Sequence, residues 1–281
     1  MLEDVPGAPE GVDPRLVGRS RPGAGAVGVD LALLEESERR RVRGPVLEDV
    51  PRALDGVDLR LVGQPRPGAG AVAADLALLD ESERRRAARF RRVADRDLYV
   101  AVHLALRRAL AGYLGLPPQD VVLVREPCPG CGGPHGRPAV AGAAGALHFS
   151  LSHSHGLALI ALAAVPVGAD IQRLPGPDTV EVCSAALHPA ERAELAAVPE
   201  PERPAAFARL WSRKEAYLKG LGIGLARPAH ADYLGDTVAD RPRGWTVGNV
   251  PCGPGHAAAV ALRGPHPRNG ARTHTRNRTQ E

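Results

Sequence analysis

Two nearly identical stretches open the chain. LEDVPGAPEGVDPRLVGRSRPGAGAVGVDLALLEESERRR, Leu2 to Arg41, returns as LEDVPRALDGVDLRLVGQPRPGAGAVAADLALLDESERRR, Leu47 to Arg86. Stacked-repeat folds need three or more units to bury a shared core, so two copies exclude a solenoid. The second copy continues into AARFRRVADRDLYVAVHLALRRALAGYLG, whereas the first stops at VRGPV. The folded unit is therefore expected to begin with the second copy, leaving residues 1–46 as a poorly ordered extension. Pro9, Pro14 and Pro22 oppose regular elements there.

Beyond the duplication, the 281 residues have length enough for one large domain or two small ones. Leu98, Val102, Ala105, Leu106, Ala109 and Tyr113 fall on one helical face. Gly115 and the Pro117–Pro118 pair end that helix. DVVLVRE reads as a strand, PCPGCGGPHGRP as a Gly/Pro loop, and LHFSLSHS and LALIALAAV as strands joined by a tight HSHG connection. VGADIQRL is a further short strand. HPAERAELAAV and RPAAFARLWSRKEAYLKGL read as helices, with Pro189 and Glu191 suiting a helix start. GWTVGNV and HAAAVALRG form a β-rich end, and residues 265–281 are polar, basic and aperiodic, as a disordered tail would be.

Composition narrows the class. No apolar run reaches the ~20 residues of a membrane helix, and MLEDVPGAPEG lacks a basic, apolar leader, so a cytoplasmic location is expected. Four cysteines in a chain of this length do not make a disulfide framework. A formal charge of +4 is a mild bias towards acidic partners. With aromatics at 3 % and no DNA-binding motif, a nucleic-acid protein built on the arginine run is disfavoured.

Several residues could carry chemistry. In LWSRKEAYLKGLG, Trp211, Glu215 and Lys219 share one helical face; a Glu–Lys pair at this spacing commonly stabilises an exposed helix by roughly 0.2–0.5 kcal/mol. Asp170 follows an apolar strand, with Gln172 on the same face. A buried carboxylate there requires a cation or a donor, and the pair suits Mg²⁺; a turn Asp capping backbone amides is the other reading. Ser152, His153 and Ser154 either contact an anion or finish a polar hairpin. No G-x-S-x-G elbow accompanies them. CPGCGGPH offers Cys128, Cys131 and His135, three of the four ligands of a closed zinc site, or a tight turn with two reduced thiols. The run Arg84, Arg85, Arg86, Arg89, Arg91, Arg92 and Arg96 is a solvated face or a phosphate-binding patch.

The ordered set ARFRRVADRDLYV, GRP at Gly136–Pro138, LHFSLSHS, VGADIQRL and WSRKEAYLKGLGIGL, from about Ser82 to about Arg263, resembles the 4′-phosphopantetheinyl transferase superfamily of Sfp type. The resemblance implies an α+β fold of two pseudo-symmetric halves, each a small antiparallel sheet packed with a long helix. The halves would span residues 47–164 and 165–264, with the active site in the cleft between them. It implies transfer of the phosphopantetheine arm of coenzyme A to a serine of a carrier protein, a reaction of holo-acyl-carrier-protein synthase type that releases 3′,5′-ADP. Asp170 and Glu215, with Gln172 where the family commonly has Glu, would hold Mg²⁺. Glu215 would take the serine proton, and Lys219 and Lys214 would balance charge. Ser152, His153, Arg137 (in the place of a usual lysine), Arg86 and Arg89 would contact coenzyme A. Implied partners are acyl or peptidyl carrier proteins of fatty-acid, polyketide or non-ribosomal peptide synthases, often in secondary metabolism, served by a monomer. The competing reading is a non-catalytic relative in which Gln172 marks lost metal chemistry.

Overall fold

In a computed structural model the chain is described over residues 54, 56–65, 75–143 and 145–264. The expected extension (residues 1–46) and tail (265–281) lie outside the described residues. The elements run β1 (Val57–Gly63), α1 (Glu81–Arg89), α2 (Val93–Leu114), β2 (Leu123–Arg125), β3 (Pro138–Val140), β4 (His148–Ser154), β5 (Leu157–Ala163), β6 (Val167–Arg173), α3 (Pro177–Ser184), α4 (Pro189–Ala197), α5 (Arg203–Leu221), β7 (Trp245–Val250) and β8 (His256–Arg263).

The same path is traced twice. β1, the long helix α2 and the hairpin β4–β5 give an antiparallel sheet of order β1-β5-β4; β6, the long helix α5 and the pair β7–β8 give β6-β8-β7. In each sheet the last strand is central. The α+β expectation of two similar halves holds.

Strand period two decides what each sheet buries. In β5, Ala158, Ile160 and Leu162 face α2, where Leu98, Val102, Leu106 and Leu110 meet them. Leu159, Ala161 and Ala163 face the other half and pack with Val167, Ala169 and Ile171 of β6 and Ala258 and Val260 of β8. Both faces are covered, which is why β5 reads as a continuous apolar run. On the far side Ala259 and Ala261 of β8 join Leu210, Ala216 and Leu218 of α5 around Trp245.

Three elements differ from the sequence reading. β1 lies in the second repeat copy, pairing with β5 from Val57↔Ala163 to Gly63↔Leu157. The arginine-rich run does not form one helix: α1 ends at Arg89, Phe90 is extended, and α2 begins at Val93. α3 starts at Pro177 after a Gly176 N-cap and was not legible as a helix. The HSHG connection is a two-residue turn with left-handed His155 (φ 45°) and Gly156 (φ 86°), the geometry that matches hairpin twist.

Candidate active site

The site lies where the halves meet, and glycine makes the meeting possible. On β6, Val167, Ala169 and Ile171 point to the inter-sheet core, so Gly168, Asp170 and Gln172 point the other way, under α5. A Cβ on Gly168 would collide with the Ala216 carbonyl oxygen and the Gly220 amide nitrogen. A Cβ on Gly220 would come within 2.6 Å of the Trp245 ring. Bare backbone at these two positions lets α5 lie directly on β6.

That close approach carries Lys219 onto Asp170. Lys219 Nζ is 2.6 Å from Asp170 Oδ1 and also donates to Ser152 Oγ at 3.0 Å. Ser152 Oγ donates to Asp170 Oδ1 at 2.8 Å, and Gln172 Nε2 to Oδ2 at 3.0 Å. Asp170 is wholly buried, while the Lys219 side chain keeps 30 % of its surface exposed. Lys219 therefore pairs with a carboxylate on β6, not with Glu215 one turn away. Glu215 accepts no hydrogen bond from any described residue; burial, with Asp170 adding, holds its carboxyl above the usual range, against the pull of Lys219.

This arrangement fits a hard cation. A fully buried carboxylate whose counter-charge is an ammonium stands near a second carboxylate that lacks a donor. Asp170 and Glu215 would be the anionic ligands, and Gln172 could offer Oε1 once its amide ends are exchanged.

A serine ladder fixes the joint. Ser150, Ser152 and Ser154 alternate along β4, all on the face towards β6. Ser150 Oγ accepts from Ala169 N–H at 3.0 Å, and Ser154 Oγ from Arg173 N–H at 3.1 Å. Ser152, expected on coenzyme A, donates to Asp170 and accepts from Lys219. The alternating S-x-S-x-S was the available signal for Ser150 and Ser154.

The intervening β4 residues face α2, where His153 sits. Partial burial of its ring, with Lys219 and then Arg86 adding, holds it below the usual histidine range. Arg86 thus lies near His153. Its helix is held by the Asp80–Glu83 capping box, both carboxylates of which bind the buried Arg107, at 2.8 and 2.7 Å. The D-x-x-E of the second repeat copy is the sequence signal for this cap. Arg89 is exposed in the last turn of α1. Arg137 donates from Nε to Glu126 at 2.5 Å and from Nη1 to the Gly220 carbonyl at 3.2 Å, at the C-terminal end of α5.

Lys214 is a correction. It was expected beside Glu215, but the helix turns it to the opposite side, where its Nζ is 2.7 Å from Glu191 and 2.8 Å from the Ala229 and Asp232 carbonyls. It neutralises a fully buried carboxylate that also caps α4. Trp211 stacks on Phe207 with centroids 5.8 Å apart and packs against the core under α5.

Residues 166–247, which carry Asp170, Glu215 and Lys219, match the family model of the 4′-phosphopantetheinyl transferase superfamily. The resemblance read from the motifs holds. A 4′-phosphopantetheinyl transferase, HetI, of Nostoc sp. is 34 % identical over 145 residues, covering 50 % of this chain and 58 % of that protein. A 4′-phosphopantetheinyl transferase of Bacillus subtilis is 29 % identical over 141 residues, with 50 % and 58 % covered. The transferase Sfp of Bacillus subtilis strain 168 is 33 % identical over 81 residues, covering 29 % of this chain and 36 % of that protein. The match thus spans little more than half the length of the first two relatives. Among the described residues no helix is long and apolar enough to cross a membrane.

Proposed function

We propose that this chain transfers the phosphopantetheine arm of coenzyme A to a serine hydroxyl of an acyl or peptidyl carrier protein and releases 3′,5′-ADP. The observation that carries the reading is the convergence of Asp170, Lys219 and Ser152 at the joint of the two halves, with Glu215 beside them. Mg²⁺ held by Asp170, Glu215 and the Gln172 oxygen would neutralise pyrophosphate charge.

The chain's own groups have distinct tasks. Glu215, half-buried and without a donor among the described residues, takes the proton of the attacking serine. Lys219 reaches from Asp170 towards solvent, so its ammonium can meet phosphate oxygens while staying anchored to Ser152. His153 and Arg86 line the α2 side of the cleft as phosphate contacts, with Arg89 exposed beyond them and Arg137 at the end of α5. Gln172 keeps a neutral oxygen where the family commonly has a carboxylate, which leaves two carboxylates for the cation. A basic chain suits acidic carrier proteins, and both halves of the site in one chain support action as a monomer.

The test mixes the protein with coenzyme A, Mg²⁺ and an apo carrier domain and weighs the carrier by intact mass spectrometry. The expected result is a phosphopantetheine mass gain that disappears with EDTA and in Glu215→Ala. Measurable coenzyme A binding without mass gain on any of several carriers would overturn transfer and leave a binding protein.

A further inference from the structure

The loop between β2 and β3 holds a second group of ligating side chains, which the transfer reaction does not use. We propose that Cys128, Cys131 and His135 form a binding site for Zn²⁺, with a water molecule as fourth ligand. Their ligand atoms all lie within 4.8 Å of one another, and Cys131 Sγ is 2.9 Å from His135 Nε2. Tetrahedral zinc at roughly 2.3 Å from sulfur and 2.0–2.1 Å from nitrogen needs ligand atoms about 3.5–3.8 Å apart. Small side-chain rotations therefore suffice. Two thiolates and an imidazole are the donors that select this metal over Mg²⁺ or Ca²⁺.

The backbone is folded as a metal-gripping turn. Cys128 N–H donates to the Gly133 carbonyl at 2.7 Å, and Gly132 N–H to the Cys128 carbonyl at 2.7 Å. Gly132, directly after the second cysteine, is left-handed at φ 73°. The N–H groups of Gly130 and Cys131 point at Cys128 Sγ. A Cβ on Gly133 would stand 3.0 Å from His135 Cδ2, 3.2 Å from its Nε2 and 3.4 Å from Cys131 Sγ. A methyl group at Gly133 would crowd both the imidazole and the thiol. Cys128 is buried, whereas Cys131 and His135 reach solvent, leaving room for the water.

The site would brace the candidate active site from outside. His135 precedes Gly136–Arg137, and Arg137 binds the Gly220 carbonyl. Arg137 and Pro129 both lie 3.7 Å from where a Gly222 Cβ would be, at the C-cap of α5. Metal in the loop would fix the segment that abuts the end of the helix carrying Glu215 and Lys219. The assignment does not depend on the proposed transfer, because its readout is metal.

The full-length protein, dialysed with a non-chelating reductant, would be assayed for bound zinc by mass spectrometry of the metal and then loaded with Co²⁺. About one metal per chain and a thiolate-to-cobalt charge-transfer band with tetrahedral intensity are expected. Loss of an outer partner alone costs about 10–100-fold in metal affinity, so Cys131→Ser and His135→Ala should each weaken Co²⁺ binding at least that much. Circular dichroism would show both variants folded, as their exposure predicts, and Cys183→Ser would bind like wild type. Failure of wild type to hold stoichiometric zinc or show the thiolate band would overturn the site, as would undiminished binding in Cys131→Ser.

Discussion

Glu215 is a carboxylate placed where the protein alone gives it little help. Burial raises its pKa, so in the folded state the protonated form is favoured over the form it takes in the unfolded chain, where a glutamate titrates near pH ~4.3. Its contribution to stability is full below that unfolded value and is lost as pH rises through the higher folded one. Above that folded value the ionised side chain is a net cost, borne for the sake of binding or proton transfer. Glu215→Gln should therefore raise the melting temperature of the metal-free protein. The same variant should lose any stabilisation by added Mg²⁺, and wild-type transfer should fall as pH drops through the raised pKa. A lower melting temperature in Glu215→Gln, measured by scanning calorimetry without divalent ions, would contradict this account.

At the scale of elements, β6 and α5 are set by the two glycines between them. Gly168→Ala puts a methyl group into the Ala216 carbonyl and the Gly220 amide. Backbone cannot swing aside as a side-chain tip can, so the helix must lift. Overpacking of this kind costs typically about 1–3 kcal/mol. Lifting also parts Lys219 from Asp170, so coenzyme A binding should weaken even at temperatures where the variant is folded. Gly176→Ala, with nothing within 4 Å of the added methyl, is the control and should stay within about 0.5 kcal/mol of wild type. Equal stabilities of the two variants by urea titration would rule out the close-approach argument. The VGAD and KGLG stretches showed where Asp170 and Lys219 would lie, because strand and helix periods put side chains on known faces. The same periods could not show that Lys219 prefers Asp170 to Glu215, or that Lys214 serves Glu191, since both pairings depend on elements far apart in sequence. Nor could composition reveal β1, which becomes a strand only by pairing with β5. The turn of CPGCGGPH was legible; the convergence of its three ligands was not, because that depends on the left-handed Gly132 and the bare Gly133.

For the whole molecule, the expected division into residues 47–164 and 165–264 raises the question of whether each half folds alone. The core argues against it. Leu59, Leu159, Ala161 and Ala163 from the first sheet and Val167, Ala169, Ile171, Ala258 and Val260 from the second form one buried cluster. Separation would expose an apolar face on both sheets at once, at about 25 cal/mol for each Å² returned to water. It would also leave the Ala169 and Arg173 amides without the serine oxygens that now accept from them. The halves should therefore unfold in a single transition, with calorimetric and van't Hoff enthalpies in a ratio of about 1. Two resolved transitions would show the halves to be separate domains, and the site between them would then be able to open. A single transition means that Asp170, Ser152 and Lys219 are held together with the stability of the whole core, so their cluster is built before any ligand arrives.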